Sequence, residues 1–141
     1  MFIVKIFSIH KTKEKWLQEA ICEYEKRLKN NFLIKWEICK DEADLEKKIL
    51  NESFFICLDE KGQKLTSLDF SKKLFEFFQS NNLKINFLIG SDVGISKKIK
   101  DKASFVLSLS DLTFTHQMIR LILIEQIYRA YQIHENTKYH K

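Results

Sequence analysis

Short apolar runs alternate with longer helix-like segments along this sequence, and this alternation restricts the fold more than any other feature. The apolar runs are typical of buried β-strands, and they lie at residues 2–8, 32–39, 53–59, 83–90 and 104–110. The segments that follow them are typical of α-helices, and they lie at residues 13–28, 42–50, 66–80, 96–103 and 115–134. Because strands and helices alternate, we predict an α/β fold with a mainly parallel sheet and helices on both faces.

The first predicted helix shows which side chains this pattern assigns to the core. Its apolar residues recur about every 3.6 positions and share one face: Trp16, Leu17, Ala20, Ile21, Tyr24 and Leu28. Thr12 precedes the helix and is a suitable N-cap, because its hydroxyl can accept a hydrogen bond from a free backbone N–H. We therefore expect a helix that is capped by Thr12 and that packs on the sheet through the face containing Trp16.

Composition restricts the class of protein further. With 141 residues, of which 45% are hydrophobic and 13% aromatic, the chain predicts one domain over residues 1–141 with a substantial core. The formal net charge of +5 weakly favours a polyanionic partner. Cys22, Cys39 and Cys57 are widely spaced, so we expect buried, reduced thiols.

Metal and membrane binding are both disfavoured. The histidines and cysteines form none of the spacings that hold metals, so we expect no metal. No apolar run reaches the roughly 18 residues that a membrane helix needs. The first residues carry neither the basic lead nor the small-residue cleavage site of a signal peptide. We therefore expect a cytoplasmic protein without membrane contact.

The last predicted helix is apolar on nearly all sides. Its apolar residues are Met118, Ile119, Leu121, Ile122, Leu123, Ile124, Ile127, Tyr128, Tyr131 and Ile133. One apolar stripe is enough to cover a sheet, so a second apolar face would remain, and a symmetric dimer would bury it. A helix packed centrally in a monomer is the alternative. Glu125 and Arg129 on this helix have the spacing of an ordinary ion pair.

Three loops rich in small and polar residues follow the last three predicted strands, with the sequences CLDEKGQ, LIGSDVGIS and LSLSDLTFTH. The carboxyl ends of parallel strands meet at one edge of the sheet, where α/β proteins bind their ligands. Gly90 and Gly94 either make room for a ligand or only serve a turn. Asp59 and Glu60 are adjacent on a strand and point to opposite faces, so they do not predict a shared acid–base site.

These segments also carry a resemblance to a known family. WLQEAICEYEKRLK resembles part of its amino-terminal region, LDEKGQ its Leu-[Asp/Glu]-x-x-Gly loop, and FLIGSDVG its Ile-Gly-Gly-x-x-Gly loop. The block LSLSDLTFTHQMIRLILIEQIYRAYQI is the most distinctive segment, and the terminal YHK resembles a Tyr-His-[Lys/Arg] ending. From end to end, the chain resembles the ribosomal RNA large-subunit methyltransferase H family of the SPOUT superfamily.

The resemblance implies transfer of a methyl group from S-adenosyl-L-methionine to N3 of a pseudouridine in large-subunit (23S) ribosomal RNA. It also implies a C-terminal trefoil knot and a homodimer. The implied cofactor contacts are Leu58, Gly90, Leu109, Ser110, Asp111, Leu112, Thr113 and Phe114. A domain this small has little surface for reading an RNA sequence, so we expect the assembled ribosome to be the partner.

The last three residues are the part of the resemblance that concerns the substrate. An aromatic ring, an imidazole and a cation can stack on a base, accept a proton and hold a phosphate. We therefore expect Tyr139, His140 and Lys141 to bind the substrate, and His140 with Tyr139 to take part in catalysis. Arg120 is a further expected substrate-binding residue, and His116 is a secondary one.

Two residues depart from the family's pattern. Ser91 stands where a second glycine is usual, and a serine there would be strained by about 1–2 kcal/mol if the position needs a positive φ. Thr115 stands where a proline often precedes the histidine. Two other functions stay open. One is a non-catalytic ribosome- or RNA-binding relative, and the other is an enzyme of similar topology that binds a different nucleotide cofactor.

Overall fold

The structure is a computed structural model that describes residues 1–140. Within these residues, five strands alternate with five helices, as predicted. The strands are β1 (Phe2–Ile9), β2 (Phe32–Cys39), β3 (Ile56–Lys64), β4 (Lys84–Ile89) and β5 (Phe105–Ser108). The helices are α1 (Lys15–Leu28), α2 (Glu42–Ile49), α3 (Ser67–Ser80), α4 (Lys97–Lys102) and α5 (His116–His134).

The strands pair in the order β2-β1-β4-β3-β5, and each of these pairings is parallel. The predicted parallel α/β sheet is therefore confirmed. Strands β1, β4 and β3 lie inside the sheet, and the apolar runs of β1, β4 and the first part of β3 fit a sheet that is covered on both faces. The carboxyl ends of the strands share one edge, and the loops after β1, β3, β4 and β5 leave the sheet there.

Helices cover both faces of the sheet, which confirms the second part of the fold prediction. On one face, α1, α3 and α5 pack through a core that includes Leu17, Leu74 and Leu123. On the other face, α2 and α4 pack through Leu45 and Ile99. Each fully buried aliphatic side chain stabilises the fold by about 1.5–3 kcal/mol, so both layers contribute substantially.

Local hydrogen bonds decide where the helices begin. Thr115 is the N-cap of α5, and its hydroxyl accepts a hydrogen bond from the Met118 N–H at 3.1 Å. A proline there would lack this oxygen, so the departure from the family's pattern adds a cap worth about 0.5–2 kcal/mol. The cap predicted at Thr12 is wrong, because α1 begins at Lys15 and its N-cap, Glu14, makes no side-chain hydrogen bond.

Strand β3 differs from its prediction. The sequence predicted a strand at 53–59 and a loop around Gly62, whereas the strand begins at position 56 and continues through Gly62 and the polar residues after it. Its register with β5 shifts after Leu58, and pairing resumes at Gln63 with Leu107. Hydrophobicity did not indicate this extension, because backbone hydrogen bonds hold it and its side chains are polar.

Burial differs from the prediction at two positions. Cys39 and Cys57 are buried, as predicted, and burial raises the pKa of the Cys57 thiol to about 12, which keeps it protonated. Cys22 is exposed, so the prediction is wrong for that residue. Trp16 was expected on the packed face with Leu17, but 56% of its surface is exposed whereas Leu17 is buried.

Helix α5 contributes more to the core of its own chain than a surface helix would. Its buried residues are Arg120, Leu123, Ile124, Ile127 and Ala130, and the helix packs against both α1 and α3. Ile122 is half-buried and lies outside the main core cluster, which is the core that α1, α3 and α5 form on one face of the sheet. Although α5 is apolar, no helix among residues 1–140 has both the length and the hydropathy of a membrane span.

Gly62 offers a test of the extended pairing between β3 and β5. An added Cβ would lie 2.7 Å from the Val106 carbonyl oxygen and 2.9 Å from the Leu107 carbonyl carbon, so β5 would have to move. We expect Gly62→Ala to lower the free energy of unfolding by about 1–3 kcal/mol in urea denaturation. The exposed neighbour Lys61 supplies the control, since Lys61→Ala should change it by less than about 0.5 kcal/mol. Equal stability of the two variants would contradict the close approach.

Candidate functional site

A cleft of about 910 Å³ opens at the carboxyl edge of the sheet, a volume typical of small-molecule sites. Its walls come from the ends of β3 and β4, the loops after β4 and β5, and the first turns of α1 and α5. Seven of the eight residues expected to contact a cofactor line it: Leu58, Gly90, Leu109, Ser110, Leu112, Thr113 and Phe114. The eighth, Asp111, is exposed and forms an ion pair with Lys64.

The loop after β4 folds back on itself at its glycines. A Cβ at Gly90 would lie 2.7 Å from Ile95 Cγ1 and 3.2 Å from the carbonyl carbon of Gly94, which itself has a φ of +84°. Ser91 does not have a positive φ, so the strain considered for a serine at this position does not arise. Its hydroxyl donates a hydrogen bond to the Glu42 carboxylate. The first turn of α2 therefore holds this loop from outside.

The loop after β5 is fixed by its own hydroxyl groups. The Ser108 hydroxyl donates to the Ser110 carbonyl at 2.9 Å, and the Ser110 hydroxyl accepts from the Leu112 N–H at 3.0 Å. The Thr113 hydroxyl donates to the Glu60 carboxylate on β3. These bonds leave the Leu112 side chain 70% exposed beside the cleft, so the loop presents apolar surface there.

Carboxylates outnumber ammonium groups around the cleft. The charged residues in its walls are Glu14, Asp59, Glu60, Asp92, Lys61 and Lys100. Partial burial opposes ionisation of Asp59, but hydrogen bonds from the Lys100 ammonium and the Lys61 N–H lower its pKa below the ordinary value. The excess of carboxylates over ammonium groups in the walls favours a cationic ligand. Among residues 1–140, no three side chains are grouped as a metal site requires.

His116 lies in the wall of the cleft at the start of α5. Burial lowers its pKa, and the nearby Arg120 guanidinium lowers it further. Its imidazole is therefore mostly neutral at pH 7, and one ring nitrogen is free to accept a hydrogen bond or a proton.

Arg120 was expected to bind the substrate, but it is 0% exposed. Its guanidinium donates hydrogen bonds to the carbonyl oxygens of Ile9 at 3.0 Å and His10 at 2.8 Å, and to the Thr12 hydroxyl at 3.1 Å. These bonds join α5 to the loop after β1. Substrate contact would require Arg120 to leave all three acceptors, so this position favours a supporting role.

The end of the chain folds back on the last turns of α5. The Tyr139 hydroxyl donates to the Glu125 carboxylate at 3.0 Å, and its ring packs edge-on against Tyr128 with the ring centroids 4.8 Å apart. His140 Nδ1 lies 3.1 Å from Arg129 Nη1. The predicted ion pair of Glu125 with Arg129 is present at 3.0 Å and belongs to the same cluster. The prediction for position 141 falls outside the described residues.

The tail cluster and the cleft contact different parts of α5, the cleft its first turn and the tail residues 125–129. His116 in the cleft and Arg129 under the tail are about 20 Å apart along the axis, at a rise of 1.5 Å per helical residue. One chain therefore brings the expected cofactor residues together. It does not bring the expected catalytic residues, Tyr139 and His140, beside them.

Sequence reasoning did not single out several residues of the cleft as site residues, among them Trp16 and Gln117. Helical periodicity assigned Trp16 to the core. Gln117 attracted no attention, although its side chain accepts a hydrogen bond from the Lys13 N–H at 3.0 Å and donates one to the Lys11 carbonyl at 3.2 Å. Trp16 lies in the first turn of α1 and Gln117 in the first turn of α5, and both helices begin at the carboxyl edge of the sheet. That position was the signal in the sequence that could have identified them.

Known proteins match nearly the whole chain. The family described as "Predicted SPOUT methyltransferase" matches residues 2–140. A protein named ribosomal RNA large subunit methyltransferase H from Protochlamydia amoebophila is 45% identical over 141 residues, which is 100% of both chains. Its namesake from Dictyoglomus thermophilum is 41% identical over 150 residues and covers 97% of this chain and 98% of the relative.

Two solved structures share the fold at low sequence identity. A methylase family protein from Haemophilus influenzae Rd KW20 superposes with a TM-score of 0.60 at 10% identity, over 99% of this chain and 70% of the other. The SpoU methyltransferase AviRb from Streptomyces viridochromogenes, solved in complex with AdoMet, superposes with a TM-score of 0.50 at 10% identity. The match covers 96% of this chain and 61% of the other. At such identities the likeness concerns the fold alone.

Gly90 tests whether the loop after β4 shapes the ligand site. A valine would collide with Ile95 and the backbone of Gly94 and would displace the loop. We expect Gly90→Val to weaken binding of S-adenosylmethionine, the cofactor implied by the sequence, at least about tenfold in calorimetry, which is about 1.4 kcal/mol, because the loop that lines the cleft would be displaced. Adding Ile95→Ala should restore part of the affinity. A folded Gly90→Val protein that binds as tightly as the parent would place the ligand elsewhere.

Proposed function

Because the chain belongs to the SPOUT methyltransferase family, we propose that it is an S-adenosylmethionine-dependent enzyme that methylates N3 of a pseudouridine in large-subunit ribosomal RNA. The observation that carries this proposal is the 45% identity over the full length of a ribosomal RNA large subunit methyltransferase H. The loops through which the sequence resembles that family are also the loops that line the cleft.

The residues of the cleft fit S-adenosylmethionine. The exposed side chains of Leu112 and Val93 offer apolar surface for an adenine ring, and the backbones of the two loops offer hydrogen-bond donors and acceptors. The excess of carboxylates suits a sulfonium cation. Leu58, Gly90 and residues 109–114 hold the cofactor in this scheme, and the bound cofactor supplies an electrophilic methyl carbon.

The protein's own part in the reaction is alignment and removal of one proton. Holding N3 in line with the methyl carbon contributes about 7–11 kcal/mol in favourable cases. In this scheme Tyr139 stacks on the base, Lys141 holds a phosphate, and His140 accepts the N3 proton. Arg129 can only donate, so His140 Nδ1 accepts from it in the docked tail, and a neutral ring then carries its proton on Nε2. Release from Arg129 frees Nδ1 to act as the base.

These roles require the tail to meet a cleft that it does not line on its own chain, where it docks on residues 125–129 of α5. A homodimer meets this requirement if the tail of one protomer reaches the cleft of its partner. The half-buried Ile122, which lies outside the main core cluster, supports an interface along α5.

Membership of the family also implies a trefoil knot near the C-terminus. Strand β5 lies at the edge of the sheet beyond β3, whereas α5 packs against α1 and α3. Residues 109–115 therefore pass from that edge across the end of β3, where the Thr113 hydroxyl bonds to Glu60. This crossing supports the threading, because α5 returns to the core only after it.

The proposed substrate is ribosomal RNA within the assembled ribosome, in the cytoplasm. The net charge of +5 supports a polyanionic partner, and a single domain over residues 1–141 leaves little surface for reading a long RNA sequence. The alternative, a non-catalytic ribosome-binding relative, would bind the same partner without transferring a methyl group.

Methyl transfer to ribosomes that lack the modification tests the function. The protein is incubated with these ribosomes and a saturating amount of methyl-labelled S-adenosylmethionine, and the modified nucleoside is identified by mass spectrometry. We expect N3-methylpseudouridine in large-subunit RNA. Binding to ribosomes without any transfer would favour the non-catalytic alternative.

Removal of residues 137–141 tests the tail. We expect S-adenosylmethionine binding to survive and single-turnover methylation to fall at least about 100-fold, the usual range for loss of a general base. His140→Ala should reproduce part of the loss, with a larger effect at low pH, where N3 must ionise without help. Lys138→Ala is the control because Lys138 is exposed and lies in the same tail. If the truncated protein kept the parent rate, the substrate site would have to be sought around His116.

Sedimentation at micromolar concentration tests the dimer. We expect the parent to sediment as a dimer and Ile122→Glu to dissociate it, because the glutamate would be an unpaired charge in the interface. Leu68→Glu is the matched control, since Leu68 is 57% exposed on α3. Ile127 cannot serve here because it is buried in the core of a single chain. A monomeric parent would contradict the proposed interface.

A further inference from the structure

Trp16 is an unusual side chain for the mouth of the cleft. It is 56% exposed, although large aromatic side chains are mostly buried. It lies in the first turn of α1 and lines the same cleft as Gly90 and the loop after β5. The adjacent Leu17 is buried and already anchors this turn of the helix. Packing therefore does not explain why the Trp16 ring stands at this edge.

Three lysines precede Trp16 within the same short segment. Lys11, Lys13 and Lys15 are exposed, and within residues 1–140 none of them forms an ion pair. Glu14 is the only acidic residue between positions 10 and 16. An exposed aromatic ring beside unpaired cations is the combination that binds single-stranded nucleic acid, because the ring stacks on a base while the cations track the phosphates.

The segment 10–16 is also held in place. Arg120 donates to the carbonyl of His10 and to the hydroxyl of Thr12, and Gln117 bonds to backbone groups of Lys11 and Lys13. A segment that is already ordered loses less conformational entropy when it binds a partner. The first turns of α5 therefore preorganise this surface beside the cleft.

We propose that residues 10–16 bind the RNA strand that flanks the target nucleotide. Trp16 stacks on an unpaired base next to the target, and the lysines contact the adjoining phosphates. This inference rests on the proposed function, in which the target base enters the neighbouring cleft. A second copy of the chain is a poorer occupant, because three unpaired lysines within five residues would repel a cationic protein surface, whereas phosphates neutralise them.

Direct binding to unmodified ribosomes tests the stacking. We expect Trp16→Ala to raise the dissociation constant for ribosomes about tenfold, as loss of one base–aromatic stack does, and Trp16→Phe to stay within about threefold of the parent. Leu68→Ala is the matched control because Leu68 is exposed to a similar degree, 57%, and does not line the cleft. The affinity for S-adenosylmethionine is measured on the same variants.

The salt dependence of ribosome binding tests the lysines. Replacing Lys11, Lys13 and Lys15 together by Gln should lower the slope of log affinity against log salt concentration by about 2, at roughly 0.7 per contact to single-stranded RNA. The control replaces three exposed lysines that do not line the cleft and that form no ion pair within residues 1–140: Lys29, Lys47 and Lys72. It removes the same charge, and we expect a change in slope below about 0.5.

Three results would overturn this inference. Trp16→Ala could weaken S-adenosylmethionine binding as much as ribosome binding, which would make Trp16 a wall of the cofactor site. It could dissociate a dimer, which would make Trp16 an interface residue. If the Trp16→Ala and lysine variants kept the affinity and the salt slope of the parent, residues 10–16 would not contact the RNA. These binding measurements need no methyl transfer, so failure of the proposed enzyme activity is distinguished from failure of this inference.

Discussion

The buried guanidinium of Arg120 joins the last helix to the end of the first strand, and the position of the candidate site depends on that junction. A buried cation destabilises a protein by several kcal/mol unless hydrogen bonds satisfy it. Here the carbonyls of Ile9 and His10 and the Thr12 hydroxyl accept from it, while its Nε has no partner within residues 1–140. These bonds hold the start of the last helix, whose first residues line the cleft, against the segment that leads from the first strand into α1.

Much of the fold could be predicted from the sequence because alternating hydrophobic runs report burial directly. The parallel sheet and the two layers of helices follow from that pattern. The extension of β3 through Gly62 could not be predicted, because backbone pairing with β5 holds it and its side chains are polar. Trp16 was misassigned because helical periodicity gives the face of a residue but does not show where the neighbouring elements end.

The candidate site was predictable to a similar extent. The segments that follow the apolar runs of β3, β4 and β5 had to meet at one edge, since that follows from a parallel sheet, and Leu58, Gly90 and Leu109 do line one cleft. The burial of Arg120 could not be read from its sequence position, because its acceptors, two backbone carbonyls and the Thr12 hydroxyl, lie more than 100 residues away. The separation of Tyr139 from the cleft could not be predicted either. The sequence gives the length of α5, but it does not show which parts of the helix contact the cleft and which contact the tail.

The long range of the Arg120 contacts has a consequence for how the protein is made. Arg120 and Ile9 are separated by 111 residues, and β1 pairs with β4 as well as β2. A growing chain therefore cannot complete its core until α5 has been made, because both β1 and α5 belong to that core, and contacts of such sequence separation form slowly. The first strand has to wait, without its final contacts, while more than 100 further residues are added.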